Sequence, residues 1–176
     1  MNNKNPMGIM KIKGFGEIKF ELYPEIAPIT VSNFIDLVKK GFYNGLTFHR
    51  IIKNFVIQGG CPEGSGMGGP GYSIKGEFKI NNVENNIKHE LGVLSMARAN
   101  HPDSAGSQFF MMVGNAPHLD GSYAGFGKVI DGIDVILNIA DEPVFGDTPN
   151  NKPVIENIEI DTFGIEYVLT DDNKIN

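Results

Sequence analysis

Apolar residues recur along this chain with two periods, and these mark out most of its elements. Ile18, Phe20 and Leu22 alternate with Glu17, Lys19 and Glu21, the period of a strand with one buried face. With residues 9–13 before it and Gly14-Phe15-Gly16 as the turn, the run predicts a hairpin that Pro24 ends. Val31, Phe34, Ile35 and Val38 stand at i, i+3, i+4 and i+7, one apolar stripe that predicts a helix over 28–40. Pro28 is tolerated in its first turn, and Gly41 is a C-terminal stop. Asn44-Gly45 is a turn signal into a strand over 46–52. Further strands are predicted over 72–80, 92–97, 108–113, 125–130 and 154–160. A second helix over 131–140 places Ile133, Val135, Ile136 and Ile139 on its apolar positions. Residues 142–153 read as loop, and the tail from Asp171 is expected to fray. Many strands with only two separated helices do not make an alternating α/β pattern. The fold class predicted is mainly β, a closed antiparallel barrel with the helices as plugs, since closure removes sheet edges.

Composition narrows the function more than the fold. The 176 residues suit one domain, and 41% hydrophobic with 20% charged residues is an ordinary globular balance. Twenty-two Gly and ten Pro imply many turns. A net charge of −6 with no cluster of Lys and Arg argues against nucleic acid, which needs a dense basic face. Cys61 is alone, so no intramolecular disulfide forms. Residues 1–13 lack the apolar run of a signal peptide, and no segment approaches the ~20 apolar residues of a membrane span. The expectation is a cytoplasmic protein with no membrane partner.

Several chemistries fail on spacing. Residues 64–69 spell G-x-G-x-x-G, but Pro70-Gly71 and a strand-like run follow, so no helix N-terminus is offered to phosphates. His49, His89, His101 and His118 show no metal spacing, and no serine sits in G-x-S-x-G. Cys61 has no adjacent base and reads as a spectator. Residues 48–60 are more coherent. Arg50 is one of only two arginines, beside 13 lysines, and stands among apolar β-formers. It is either half of a structural ion pair or a planar, permanently charged hydrogen-bond fork that a site requires. On strand periodicity Val56 and Gln58 share a face, as do Gln108, Phe110 and Met112, so each face mixes an amide with bulky apolar groups. If those strands are neighbours, Arg50, Phe55 and the two amides frame a greasy patch suited to a neutral peptide group beside an apolar ring. The competing reading makes Phe55 and Phe110 ordinary core residues.

Phe48-His49-Arg50-Ile51-Ile52-x-x-Phe55-x-x-Gln58-Gly59-Gly60, Leu94-Ser95-Met96-Ala97 and Gly106-Ser107-Gln108-Phe109-Phe110 resemble the motifs of cyclophilin-type peptidyl-prolyl cis-trans isomerases. Leu119-Asp120-Gly121 and Phe126-Gly127-Lys128-Val129 extend the match, in family order, over residues 7–164. The compact Gly-rich loop and Tyr123 are similar to short bacterial-type members. The resemblance implies one domain over 1–176, with a core of about 7–164 and a short C-terminal tail, folded as an eight-stranded barrel capped by two helices. It implies that Arg50 is the catalytic electrophile and that Phe55, Phe110 and Leu119 line a proline pocket, with Val56 where a Met is usual. Gln58 and Gln108 would bond the substrate backbone or hold Arg50. The main chain of Arg98 would bind substrate from the rim beside Ala97, its side chain biasing the residue before proline. His49 and Phe126 would complete the site. His118 stands where many members carry a Trp used to bind cyclosporin, which implies weak cyclosporin binding. Tyr123, where others have His, keeps an aromatic wall. The implied activity is rotation of X-Pro bonds in proline-containing peptides and unfolded protein clients, by a monomer that assists folding and needs no metal or cofactor. A proline-peptide binding module without turnover, and a barrel holding a small ligand, are the alternatives.

Overall fold

Ile18, Phe20 and Leu22 turn inward and are fully buried, as their alternation with charged residues requires. The computed structural model describes residues 4–176. Among them the strands run in chain order β1 (Met7–Ile12), β2 (Gly16–Leu22), β3 (Phe48–Ile52), β4 (Val56–Gly59), β5 (Val93–Met96), β6 (Phe109–Met112), β7 (Gly125–Asp131), β8 (Val144–Phe145), β9 (Thr148–Pro149) and β10 (Ile155–Asp161). Eight of these make one curled antiparallel sheet in the order β10-β1-β2-β7-β5-β6-β4-β3, and β8 and β9 form a small hairpin of their own. The segments leading into the two edge strands meet at a Thr47–Val154 bridge. There Phe48 N–H donates to the Pro153 carbonyl (2.9 Å) and Ile155 N–H to that of Leu46 (2.8 Å).

Two helices, α1 (Pro28–Lys39) and α2 (Ile133–Ala140), cap the sheet. Helix α1 buries Val31, Phe34 and Ile35, the stripe read from its period. It ends at Gly41, whose φ of +71° lets its N–H reach the Val38 carbonyl and that of Phe42 the Leu37 carbonyl, each at 3.0 Å. Its other end is capped from a distance. The buried carboxyl group of Glu77 accepts from Thr30 N–H (2.7 Å), Ile29 N–H (3.2 Å) and the Thr30 hydroxyl (2.7 Å).

Aromatic rings fill the interior of the curl. Phe34 stands edge-on to Phe109 (5.6 Å between centroids) and tilts against Phe126 (5.3 Å), and all three are fully buried. A ligand-holding barrel would need that space. The small-ligand barrel therefore falls.

Three stretches depart from the sequence expectation. Residues 72–80 are no regular strand, meeting neighbours only at the Ser73–Ile175 and Ile74–Ala105 bridges before a 3-10 turn at Lys79–Asn81. Side chains take the place of a neighbouring strand there, since Gly76 N–H donates to Asp103 (3.0 Å) and the Asn81 amide to the Gly76 carbonyl (2.8 Å). The loop at 142–153 contains the β8–β9 hairpin. The tail is tied down, because Ser73 and Ile175 exchange main-chain hydrogen bonds of 2.8 and 2.7 Å. Smaller shifts are that the strand expected from residue 46 starts at Phe48, and that Asp131 ends β7 before α2 begins.

Candidate active site

Antiparallel register lays four residues in one row across the sheet. Arg50 on β3 pairs with Gln58 on β4, Gln58 with Phe110 on β6, and Phe110 with Ser95 on β5. The strands carrying the two amides are thus neighbours. Alternation sends Phe109 into the interior and Phe110 to the opposite face, where Val56, Met112 and Leu119 pack around it with Phe55 and Tyr123 alongside. These groups line a cavity of about 160 Å3. Phe55, Val56, Phe110 and Leu119 are its apolar side, Arg50 and Gln58 its polar one, and Ala97, Arg98 and Tyr123 complete it. An apolar cavity of ~150 Å3 holds a benzene ring, so a proline ring has room here.

The polar side is wired to a glycine loop. Arg50 Nη1 donates to Gln58 Oε1 (3.2 Å), and Gln58 Nε2 donates to Gln108 Oε1 (3.1 Å). Gln108 Nε2 donates in turn to the carbonyls of Gly66 and Gly68, each at 2.9 Å. The N–H groups of the same two glycines donate to Cys61 Sγ at 3.3 and 3.2 Å. Burial pushes the Cys61 thiol up, but N–H groups of Gly68, Glu63, Gly66 and Ser65 together pull it further down, to about 7. Cys61 is no spectator in the fold, because it anchors the loop that orients both amides.

Sequence reasoning missed the support behind Phe110. His89 stacks on that ring (6.0 Å, 27°), with its Nδ1 3.0 Å from Asp120 Oδ1 and its Nε2 2.8 Å from Ser95 Oγ. The Asp–His–Ser order copies a hydrolase triad, but Ser95 is fully buried, so no substrate carbonyl reaches its hydroxyl. Burial lowers the His89 pKa, opposed by the hydrogen bond and charge of Asp120 and assisted by His118. The three residues are separated by 6 and 31 positions, and no spacing in the sequence pointed to them.

The remaining residues singled out by the resemblance fall in different places. His118 is exposed and stacks on Phe55 (5.9 Å, 25°). The Arg98 side chain is committed to the protein: Nε and Nη2 donate to the Ser122 carbonyl (3.2 and 2.7 Å), and Nη1 to those of Ala99 and Asn100. Its guanidinium lies over Phe78 and Tyr123, at 5.0 and 4.6 Å. His49 is 7% exposed and borders Gly66 instead of the cavity, and burial, Lys152 and Arg50 lower its pKa. Phe126 lies in the interior core and lines no part of the cavity. The reason is a break in register: β7 sets Gly127 opposite Leu94 and Gly125 opposite Ser95, and Phe126 is the extra residue between them, turned inward. Among the described residues no three His, Cys, Asp or Glu groups are placed to hold a metal ion, and no helix is long and apolar enough to cross a membrane.

The family model described as cyclophilin type peptidyl-prolyl cis-trans isomerase matches residues 8–164, nearly the whole sheet and the entire cavity. The chain belongs to this family. Among its relatives, peptidyl-prolyl cis-trans isomerase B of Bacillus subtilis is 50% identical over 137 residues, covering 78% of this chain and 92% of that one. A peptidyl-prolyl cis-trans isomerase of Helicobacter pylori is 50% identical over 126 residues, 70% of this chain and 74% of its own. A cyclophilin-type isomerase of Cryptosporidium parvum, crystallised in the presence of the dipeptide Ala-Pro, superposes with a TM-score of 0.81 at 34% identity, over 88% of this chain and 98% of that chain. The cyclophilin is therefore close to short bacterial-type members.

Proposed function

We propose that this cyclophilin turns X-Pro peptide bonds by seating the proline ring in the apolar cavity and holding the Arg50 guanidinium against the prolyl nitrogen. Rotation about a peptide bond costs ~18–20 kcal/mol because twisting breaks the amide resonance. In the twisted form the lone pair returns to nitrogen, which becomes an acceptor that neither planar isomer offers. A charged donor fixed there binds the twisted state better than cis or trans, and that difference is the catalysis. The observation that carries the reading is the placement of Arg50. It is pinned by Gln58 at the edge of a ring-sized apolar cavity, yet 43% exposed and open to a substrate. A second cavity of about 310 Å3 shares Gln58, Ala97 and Arg98 with the first, giving residues beside the proline a place to lie.

The same reading takes proline-containing peptides and unfolded protein chains as substrates, supported by the Ala-Pro dipeptide present with the C. parvum relative. It takes a monomer as the working form. Weak cyclosporin binding follows from His118, since the chain contains no Trp. It also takes the curled sheet as a fully closed barrel, with the Thr47–Val154 bridge as support.

Cis-trans exchange of a short X-Pro peptide, followed by NMR, tests the proposal. Arg50→Ala is expected to lower the rate by about 10²–10³-fold, the size of effect seen when one preorganised donor is lost, with the fold intact by circular dichroism. Wild-type exchange at the uncatalysed pace of tens to hundreds of seconds would leave a peptide-binding module. Full turnover by the variant would keep the activity and remove Arg50 from its centre.

A further inference from the structure

The β8–β9 hairpin reaches the catalytic strand through one residue. Phe145 pairs with Thr148, so Gly146 and Asp147 form a two-residue loop, turned by Gly146 at φ +64°. The Asp147 carbonyl accepts the N–H of Ile51 at 2.7 Å, one residue beyond Arg50. Its Oδ2 lies 3.6 Å from Arg50 Nε. One residue thus grips the main chain of β3 and the guanidinium it carries.

The two ends of that guanidinium are held differently. Gln58 accepts from Nη1, and a single contact leaves the plane free to swing about it. Asp147 draws on Nε, at the other end, by charge at 3.6 Å and without a hydrogen bond, and the two contacts together define the plane. Of the five N–H donors of an arginine, one is committed to Gln58 and four remain for substrate. Asp147 and Arg50 are 54% and 43% exposed, and an ion pair so wet adds little to folding stability. Its consequence lies in orientation, where displacements of an ångström change rates.

We propose that Asp147 is a positioning residue that sets the plane of the Arg50 guanidinium for the X-Pro bond. This rests on the assignment of Arg50 above. Asp147→Asn removes the charge and leaves the main-chain bond to Ile51. Its kcat on an X-Pro peptide is expected to fall about 3–10-fold with KM within about twofold, and its thermal midpoint to stay that of the wild type. Asp147→Glu should recover most of the loss. In ~1 M salt, where the Debye length is ~3 Å, the wild-type kcat should drop towards that of Asp147→Asn while the variant stays put. On the residual activity of Arg50→Ala, Asp147→Asn should have no further effect, since the interaction it serves is already gone. Wild-type kcat in Asp147→Asn, equal salt sensitivity of the two proteins, or a further loss in the Arg50→Ala background would each overturn the proposal. If Arg50→Ala is inactive and Asp147→Asn fully active, only the role of Asp147 falls. If Arg50→Ala turns over normally, the assignment of Arg50 falls with it.

Discussion

At Gln108 two carbonyls choose which end of an amide faces the site. Gly66 and Gly68 accept from Nε2, which leaves Oε1 for Gln58 Nε2 and so turns Gln58 Oε1 towards Arg50. Donor and acceptor alternate along the row, and no member can flip without leaving two like atoms in contact. Gln108→Glu tests this, because it puts a carboxyl oxygen where Nε2 stood, against both carbonyls. The expected cost is about 1–3 kcal/mol of unfolding free energy, the range for losing the partner of a buried polar group, read from urea denaturation. Faster amide exchange at Gly66 and Gly68 should accompany it as the loop loosens. Unchanged stability would mean that the loop carbonyls do not hold the amide. Cys61 works from the other side of the same loop, and its role was illegible in the sequence because its partners are main-chain N–H groups.

At the scale of elements, helix α1 depends on a residue 47 positions away. Glu77 is 3% exposed and answers two N–H groups of the first turn, which Ala27 at the N-cap does not. Glu77→Ala is expected to lower stability by on the order of 2 kcal/mol, combining a lost cap with donors left buried and unpaired. Denaturant midpoints should move while KM for an X-Pro peptide does not. A wild-type midpoint would show that water caps the helix equally well. That cap explains why residues 72–80 looked like a strand and are not one: Tyr72, Ile74 and Phe78 gave the right apolar spacing, but Glu77 and Gly76 bond to the helix and to Asp103. Elements whose partners are strands, such as β2, were legible from alternation alone. So was much of the candidate site, because Arg50, Gln58, Gln108 and Phe110 declare themselves by chemistry unusual for a strand. The His89–Asp120–Ser95 triplet and Asp147 were not, since each is an ordinary residue until the fold brings it to its partner.

For the whole molecule, buried titratable groups set where on the pH scale the fold is most stable. His49 and His89 are both held below the usual 6.5, chiefly by burial. The unfolded chain takes up protons near 6.5 that the folded one refuses, so stability is full above that value and is lost as pH falls through the depressed folded values. Cys61 acts higher up. Its folded pKa of about 7 lies below the unfolded 9.0, so between these values the unfolded chain holds the extra proton, and stability rises with pH until about 9. Tyrosines close the window from above. Burial raises Tyr43 well above 10.0, and burial with the charge of Asp36 raises Tyr72 to about 12, so stability is present below 10 and is lost above it. Together these groups place the maximum between pH 9 and 10. Urea midpoints from pH 5 to 11, in ~0.15 M salt to screen the net charge, should rise up to 6.5, rise again from 7 to 9, and fall beyond 10. In Cys61→Ala the middle rise should flatten while the outer two remain. A wild-type curve already flat from 7 to 9 would mean that the loop binds Cys61 as a thiol, and that the glycine N–H groups hold no charge beside the site.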